Sequence, residues 1–313
     1  METTTKVDVT EEVTQKIIEL LDKVSSGDIV YWIPLSGLAY NPITKHTYNS
    51  LNQLLLSLSM QSMNYSHNNW LTFKQINEAG GSVIKGEKST LITFTDVLFF
   101  KDGNKISEQE AKALFEQAKE RDANIKKYKD IGISTKRFLK YYLVFNVAQT
   151  TGLPDEIIAP DLVKLQDKER FDVADKIAHD NGVVIKHVSG NSAHYEPQND
   201  LIQMPFLKQF KATENYYATL FHEITHWTGN EKRLNRPFGS RDTPEYAFEE
   251  LIAELGSTFM CAHLQIQAPL TSSTAYIKSW LSALEDDRKY IIRAVSFAER
   301  ATQYLFKHSN HQE

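Results

Sequence analysis

The chain has 313 residues, of which 41% are hydrophobic and 24% charged, and its formal net charge is −5. This length can bury two hydrophobic cores, and the composition excludes a disordered or fibrous protein. No apolar run approaches the ~20 residues that a membrane span needs, so we expect no membrane partner. The polar N-terminus is no secretory signal, and a single cysteine excludes an intramolecular disulfide framework, so we expect a cytoplasmic protein.

The first half of the chain mixes helical and strand periodicities, which predict an α/β domain. Asn49 or Ser50 is a typical N-cap for the leucine-rich stretch that follows. The turn at 85–88 predicts a hairpin between the two short strands beside it. The predicted elements are helices at 10–26, 51–58 and 70–79, the hairpin at 82–94, strand or loop at 95–105, a charged helix at 107–127 and a strand at 141–147.

The second half predicts helices packed on a small antiparallel sheet, so the expected fold class is α+β with two domains. A proline-containing stretch from Leu153 to Pro160 is the expected linker, which places the domain limits at 10–152 and 165–308. The predicted elements are a helix at 168–181, strands at 183–188, 193–195 and 200–205, the two helices that carry the motifs below, and helices at about 274–284 and 285–306.

The segment from His222 to His226, with the pattern HExxH, is the most informative part of the chain. Residues four apart in an α-helix lie on one face about one turn apart, so the two histidines can bind one metal ion. Glu223 lies on the adjacent flank, where it can accept a proton from a metal-bound water. Apolar residues at helical spacing and a stop at Gly229 support the helix. The pattern predicts a zinc site of the metallohydrolase type.

A second, acidic helix is expected to supply the third ligand. Glu250 and Glu254 are four residues apart on one face of it. We expect Glu250 to bind the metal and Glu254 to accept the outer N–H of a ligand histidine, with Glu249 as the alternative ligand. Without the HExxH segment, this run would be interpreted as an ordinary acidic helix face. Cys261, farther along, is expected to be a small buried residue rather than a ligand.

Aromatic and basic residues are frequent in the first half. Residues 119–140 hold eight basic residues against three acidic ones. Sequence-tolerant binding of single strands needs stacking faces together with cations, and this region supplies both. Composition alone favours the alternative, in which the aromatics form a core and the charges form a solvated helix face.

Further motifs accompany the HExxH segment along the chain, and together they resemble the ArdC-type antirestriction family from about residue 10 to about 306. They are Trp32, Tyr48-x-x-x-Asn52-x-x-Leu55-Leu56, Trp70-Leu-Thr-Phe-Lys-Gln75, Gly80-Gly81-x-Val83-x-x-Gly86-Glu87-Lys88, Val144-Phe-Asn-Val-x-Gln149, Tyr195-x-Pro197-x-x-Asp200-x-Ile202-x-x-Pro205, His222-Glu-Ile-Thr-His-Trp-Thr-Gly229, Arg233-Leu-Asn-Arg236, Phe238-Gly239, Tyr246-Ala-x-Glu-Glu250-Leu-x-Ala-Glu-Leu-Gly256 and Ala275-Tyr-Ile-x-Ser-Trp280-Leu.

The resemblance implies a single-stranded-DNA-binding domain, similar to the N-terminal part of plasmid TraC primases, followed by a zincin-like metallopeptidase domain that binds Zn²⁺. The implied partners are single-stranded DNA and a protein substrate or restriction enzyme. Tyr276 is expected to assist catalysis as an oxyanion helper, with a core position as its alternative. The expected DNA contacts are Trp32, Tyr48, Asn52, Trp70, Lys85 and Lys88.

The chain departs from the family pattern at two places. Asn49 and Ser50 stand where relatives usually have Arg and Gly, and Asn230 stands where relatives often have a histidine. The second change removes one alternative ligand. Two other functions remain alternatives, a DNA-binding protein with a structural metal and a metal-dependent nuclease. A His-His-Glu site is less typical of nucleases than carboxylate clusters that bind Mg²⁺.

Overall fold

The computed structural model describes residues 38–159, 167–241, 243–266 and 274–309, together with residues 11, 14–15, 17–19 and 21–22. The chain forms two compact units: a larger one made of Met1–Thr90 and Val144–Glu313, and a smaller one made of Leu91–Leu143. The domain limits 10–152 and 165–308 stay a prediction. The described residues between 11 and 22 are helical, in agreement with the helix predicted there.

The larger unit begins with short strands and two helices. Asn49 is the N-cap of the first helix, because its side chain accepts the N–H of Asn52. Thr72 caps the second helix and forms a capping box with Gln75. This cap makes the second helix begin at Phe73, later than predicted, and the three residues before it form a strand. The elements are β1 (Tyr40–Asn41), β2 (His46–Thr47), α1 (Ser50–Ser62), β3 (Trp70–Thr72), α2 (Phe73–Glu78) and β4 (Ser82–Val83).

The predicted hairpin at 82–94 is wrong. Strand β4 pairs with residues 150–151, not with the strand that follows it. Gln149 explains this pairing, since its carbonyl accepts the N–H of Ile84 and its side-chain amide donates to Glu87 and to the carbonyl of Lys88. The turn chemistry at 85–88 is present, but a distant segment provides the partner strand.

The smaller unit is a sheet covered on one face by a helix. Its strands are β5 (Thr90–Lys101), β6 (Asn104–Ile106) and β7 (Ile133–Asn146), in the order β7-β5-β6, and its helix is α3 (Glu108–Arg121). Asp102 and Gly103 both have positive φ and close the β5–β6 hairpin, which is the turn that an Asp-Gly pair favours. Phe99, Ala111 and Ile133 form its core. Helix α3, which is the charged helix predicted at 107–127, therefore packs on the sheet. The last residues of β7, 144–146, belong to the larger unit and pair with β3.

The rest of the larger unit packs helices around a small sheet. Strands β10 and β11 are antiparallel, and β11 and β9 are parallel, so the predicted small sheet is present with one parallel pairing. The α+β class is confirmed. The elements are β8 (Thr150–Thr151), α4 (Asp155–Ile158), α5 (Asp167–Asp180), β9 (Val184–Val188), β10 (His194–Glu196), β11 (Leu201–Pro205), α6 (Thr213–Thr228), α7 (Pro244–His263), α8 (Thr274–Asp286) and α9 (Tyr290–His308).

The core of this part lies between α6 and the elements around it. Leu220, Phe221 and Ile224 are buried together with Ile202 of β11 and Met260 of α7. These are the positions where helical periodicity predicted an apolar face on the HExxH helix. Within the described residues, no helix is long and apolar enough to cross a membrane.

Candidate metal centre

Helix α6 carries the HExxH segment and ends at Thr228, as predicted. Gly229 follows with φ −74°, so its helix-ending role does not come from a left-handed backbone. A Cβ at Gly229 would lie 2.7 Å from the ring of Phe238 and 2.9 Å from the guanidinium of Arg236. Glycine is required here because the end of α6 lies close to these two side chains, which belong to the loop after the helix.

Helix α7 brings the acidic residues to the histidines. Thr243 caps it and Pro244 occupies its first turn, a combination that favours a helix start. Farther along, a Cβ at Gly256 would lie 2.5 Å from the side chain of Thr225 on α6. The two helices can therefore approach closely at this glycine, and that approach sets the distance between their polar side chains.

Three side chains converge on one point between α6 and α7. Ligand atoms of His222, His226 and Glu250 all lie within 4.8 Å of one another. The two histidine Nε2 atoms are 3.2 Å apart, and each lies 3.5 Å from an oxygen of Glu250. Atoms bound at about 2.0–2.2 Å to one tetrahedral ion are separated by roughly 3.3–3.6 Å. Two imidazoles and a carboxylate at these separations fit a divalent metal of the zinc type.

The outer nitrogen of each histidine faces a second carboxylate. His226 Nδ1 lies 3.2 Å from Glu249 Oε1, and His222 Nδ1 lies 3.6 Å from Glu254 Oε2. A carboxylate in this position holds the ring orientation and keeps the proton on Nδ1, which leaves Nε2 free to bind a metal. Glu254 therefore lies beside the outer nitrogen of His222. Glu249, the alternative ligand, instead points to the outer side of His226.

Arg236 holds Glu249 in that position. Its Nε and Nη2 donate to the two carboxylate oxygens at 2.9 and 2.7 Å, and the two side chains are 2% and 1% exposed. Its Nη1 donates to the hydroxyl of Thr228 on α6, and Nη2 also donates to the carbonyl of Thr225. Arg236 was part of a family motif without an assigned role, because a sequence does not show which carboxylate an arginine reaches.

The electrostatics of the cluster favour a cation. Burial alone lowers the pKa of His222 and His226, but the hydrogen bonds that their ring N–H groups donate to the neighbouring glutamates reverse this and raise both pKa values, that of His222 well above its ordinary value. Burial raises the pKa of Glu250, and contact with the two imidazoles lowers it strongly. Negative surroundings that stabilise a proton on an imidazole also stabilise a metal ion at the same place.

Glu223 is held by strand β10. Its Oε2 accepts the backbone N–H of Tyr195 at 2.9 Å, and Glu223 is 7% exposed. The Tyr195 hydroxyl donates to Asp200 and accepts from Asn230. Asn230, which stands where relatives often have a histidine, thus forms a hydrogen bond to the residue that holds Glu223. Asn230 thereby supports the strand that positions Glu223.

Arg233 completes this support. It forms two hydrogen bonds with Asp200, donates to the carbonyl of Trp227 at 2.6 Å and stacks 3.6 Å above the ring of Trp227. These residues lie in the family motifs, but the motifs do not indicate what they contact. Their spacing offers no signal, because the contacts join a loop, a strand and a helix that are distant in sequence.

Of four other predicted site residues, two are buried and two have side chains outside the described part of the chain. Tyr276 lies in the first turn of α8, and its side chain is outside the described part of the chain, as is the whole of Trp32. Asn52 and Trp70, two of the predicted DNA contacts, are 4% and 0% exposed, and their role toward DNA stays a prediction. Trp70 Nε1 donates to a buried asparagine and belongs to the core.

The three remaining predicted DNA contacts have mixed positions. The Tyr48 hydroxyl donates to the carbonyl of Trp70 at 3.1 Å, so its polar end serves the fold. Lys85 and Lys88 are exposed beside Gly86, whose φ is +95°. Cys261 is buried, as expected, and burial raises the pKa of its thiol to about 12.

Family models and curated proteins match both halves of the chain. Residues 7–145 match the N-terminal domain of anti-restriction factor ArdC, and residues 172–297 match a zincin-like metallopeptidase. The chain is 32% identical over 303 residues to a DNA primase TraC of Escherichia coli, a match that covers 94% of this chain and 27% of the primase. It is 28% identical over 311 residues to the uncharacterized protein y4eC of Sinorhizobium fredii, covering 96% and 92%. The chain thus spans about a quarter of the length of that primase.

Crystal structures of the antirestriction protein ArdC from plasmid R388 have the same fold. The metal-free structure has a TM-score of 0.74 and 31% identity, and the Mn(II)-bound structure has a TM-score of 0.72 and 30% identity. Both matches cover 98% of this chain and 100% of the other. Together with the convergent ligand atoms, the metal-bound relative indicates a divalent metal site in a zincin-like domain. On the strength of these matches, the chain belongs to the ArdC-type antirestriction family.

Proposed function

We propose that this antirestriction protein binds single-stranded DNA and hydrolyses a protein substrate at a zinc site formed by His222, His226 and Glu250. One observation carries the catalytic part: three ligand atoms converge within 4.8 Å while both histidines are oriented from outside by carboxylates. Three protein ligands with a further position open to substrate are typical of catalytic zinc. Restriction enzymes and other cytoplasmic proteins of the host are the expected substrates.

The residues of the chain divide the chemistry among themselves. A bound divalent metal supplies positive charge that polarises a carbonyl and lowers the pKa of water. Glu223 is placed one residue after a ligand and is fixed through Oε2 by the Tyr195 N–H, so its other oxygen is the proton acceptor. Tyr276 remains our proposed oxyanion helper. Glu249 and Glu254 keep the imidazole rings in position rather than touching substrate.

The catalytic part is tested with Glu223→Gln, His222→Ala and a control, Glu245→Gln, in the exposed first turn of the same acidic helix. Elemental analysis of zinc-supplied protein should find near-stoichiometric zinc in the wild type, Glu223→Gln and the control, and a loss in His222→Ala. Cleavage of labelled casein should be lost in Glu223→Gln and retained in the control.

Protection of plasmid DNA during transfer into a restricting host separates this mechanism from a structural metal. If Glu223→Gln protects as well as the wild type, hydrolysis does not cause protection, and the protein acts by binding. If protection is lost with cleavage while zinc is retained, catalysis is the mechanism.

The DNA-binding part is supported by the match of residues 7–145 to the ArdC N-terminal domain and by the similarity to TraC primases. It is tested by titrating labelled oligothymidine with the wild-type protein and with His222→Ala. Equal affinity in the two proteins is expected, because His222 lies in the part of the chain that matches the zincin-like metallopeptidase. Absence of binding by the wild type would contradict this part alone.

A further inference from the structure

One face of the smaller unit's sheet is open. Side chains alternate between the two faces of a strand. On β5, Phe99 and Val97 face the core with α3, whereas Phe94 is 56% exposed. The even-numbered residues of β5 therefore lie on the face opposite α3, which we call the open sheet face.

The register of β7 places further side chains on this face. The rings of Phe94 and Tyr142 are 6.3 Å apart, and Asp96 pairs with Lys140. In both pairs the residue numbers have the same sum, as they do in an antiparallel ladder, so Lys140 and Tyr142 share the open sheet face. Ile133 packs in the core on the other face, which puts Lys136, three residues later, on the open side.

Strand β6 adds a third cation. Lys105 is the direct partner of Phe100, and Phe100 is an even-numbered residue of β5. Partners in an antiparallel ladder lie on the same face. The open sheet face thus has the exposed rings of Phe94 and Tyr142 at one end, Lys140 in the middle and Lys105 at the other end. From Phe94 to Phe100 it spans six residues of β5, about 20 Å.

The charge of the smaller unit differs from that of the chain. Residues 91–143 contain eleven Lys and Arg against eight Asp and Glu, a net charge of +3, although the whole chain has −5. Asp96 is the acidic residue on the open sheet face and is paired with Lys140. A cationic surface with solvent-exposed rings on an otherwise acidic protein favours an anionic, aromatic ligand.

We propose that the open sheet face binds single-stranded DNA, with Phe94 and Tyr142 stacking on bases and Lys105 and Lys136 contacting phosphates. Rings on a sheet reach bases only when those bases are unstacked and turned outward, which selects single strands over duplex. The inference rests on the proposed DNA-binding function.

Fluorescence anisotropy with labelled oligothymidine tests the rings. Phe94→Ala/Tyr142→Ala in the full-length chain should raise the Kd at least about tenfold. The matched control is Phe73→Ala, which removes a ring of equal exposure, 56%, from the larger unit and should change the Kd by less than about twofold. Phe94→Tyr/Tyr142→Phe keeps both rings and should bind like the wild type, which separates loss of stacking from loss of folding.

Salt dependence tests the cations. Lys105→Gln/Lys136→Gln should reduce the slope of log K against log salt by about 0.7 for each lost phosphate contact. Lys119→Gln/Lys126→Gln removes the same charge outside the open sheet face and should leave the slope nearly unchanged.

The outcomes separate this inference from the proposed function. If the wild type binds and Phe94→Ala/Tyr142→Ala binds equally well, the open sheet face is not the site, while DNA binding stands. If the wild type does not bind oligothymidine, both fail. Equal affinity for duplex DNA, equally weakened by the ring variant, would overturn stacking on single strands.

Discussion

The metal centre and the open sheet face depart from ordinary burial in opposite directions. At the metal centre, charged side chains such as Glu249 and Arg236 are almost completely buried. On the open sheet face, the rings of Phe94 and Tyr142 are about half exposed. Charged residues are rarely buried unless paired, and neighbouring exposed rings mark binding surfaces. Each departure indicates a different chemistry, namely metal binding inside and recognition of a ligand from solvent outside.

The two regions also differ in how much their side chains depend on one another. In the metal centre, Arg236 orients Glu249 and Glu249 orients His226, so a change at one residue affects the next. On the open sheet face, Phe94 and Tyr142 are in contact with each other but are otherwise turned to solvent. Substitutions should therefore have large, coupled effects in the first region and small effects on stability in the second.

Arg236→Ala should have the largest effect on stability. It leaves Glu249 buried without its arginine and removes the two bonds to α6, and breaking such a buried pair costs about 3–5 kcal/mol. Urea denaturation measures the change in the free energy of unfolding. The control is Lys232→Ala, because Lys232 is exposed and lies 3.8 Å from Asp200, and this pair should contribute about 0–1 kcal/mol. Equal effects of the two substitutions would remove the contrast between buried and exposed charge.

Glu249→Gln should lower metal affinity by about 10–100-fold, because the carboxylate that orients His226 loses its charge. Zinc affinity is measured by competition with a chromogenic chelator. Glu245→Gln, in the exposed first turn of α7, is the matched control and should bind zinc like the wild type. An unchanged affinity in Glu249→Gln would show that the ring orientation of His226 does not depend on this carboxylate.

Gly256→Ala should destabilise the protein by about 1–3 kcal/mol, because the added methyl group would lie 2.5 Å from the Thr225 side chain. A double-mutant cycle with Thr225→Ala gives the control. The cost of Gly256→Ala should be smaller in the Thr225→Ala background, where the nearest atoms are absent. Equal costs in both backgrounds would mean that close approach of α6 and α7 is not the reason for glycine.

Phe94→Ala should have the smallest effect on stability, about 1 kcal/mol or less, because the ring is mostly exposed. Phe99→Ala removes the same ring from the core face of the same strand and should cost about 3–5 kcal/mol. Thermal or urea unfolding of both variants measures the difference. A large cost for Phe94→Ala would place its ring in a core and count against the open sheet face.

Local patterns predicted much of the metal centre and its helices. The HExxH spacing and the apolar positions around it placed α6 correctly, and the acidic residues at helical spacing indicated α7. These signals are local, since they depend on helix periodicity and on capping within one turn. The hairpin at 82–94 failed because the partner of β4 lies more than sixty residues away, where no turn pattern points.

The burial of Asn52 and Trp70, both expected as DNA contacts, also depends on distant segments. Their residue types suit nucleic-acid binding, but burial depends on what packs above a side chain, and no local pattern reports that. Phe94 and Tyr142 lie almost fifty residues apart, so their pairing on one sheet face could not be read from spacing.

The amino-acid sequence was enough to identify the HExxH helix, the acidic helix that carries Glu250, and the family. Periodicity and motif order suffice for these, because they act between residues that are neighbours along the chain. The packed structure was needed to show that Glu249 turns to Arg236, which leaves Glu250 beside the two Nε2 atoms, and that Phe94 faces solvent while Trp70 does not. Those choices depend on packing between distant segments, such as the close approach of Gly256 to Thr225.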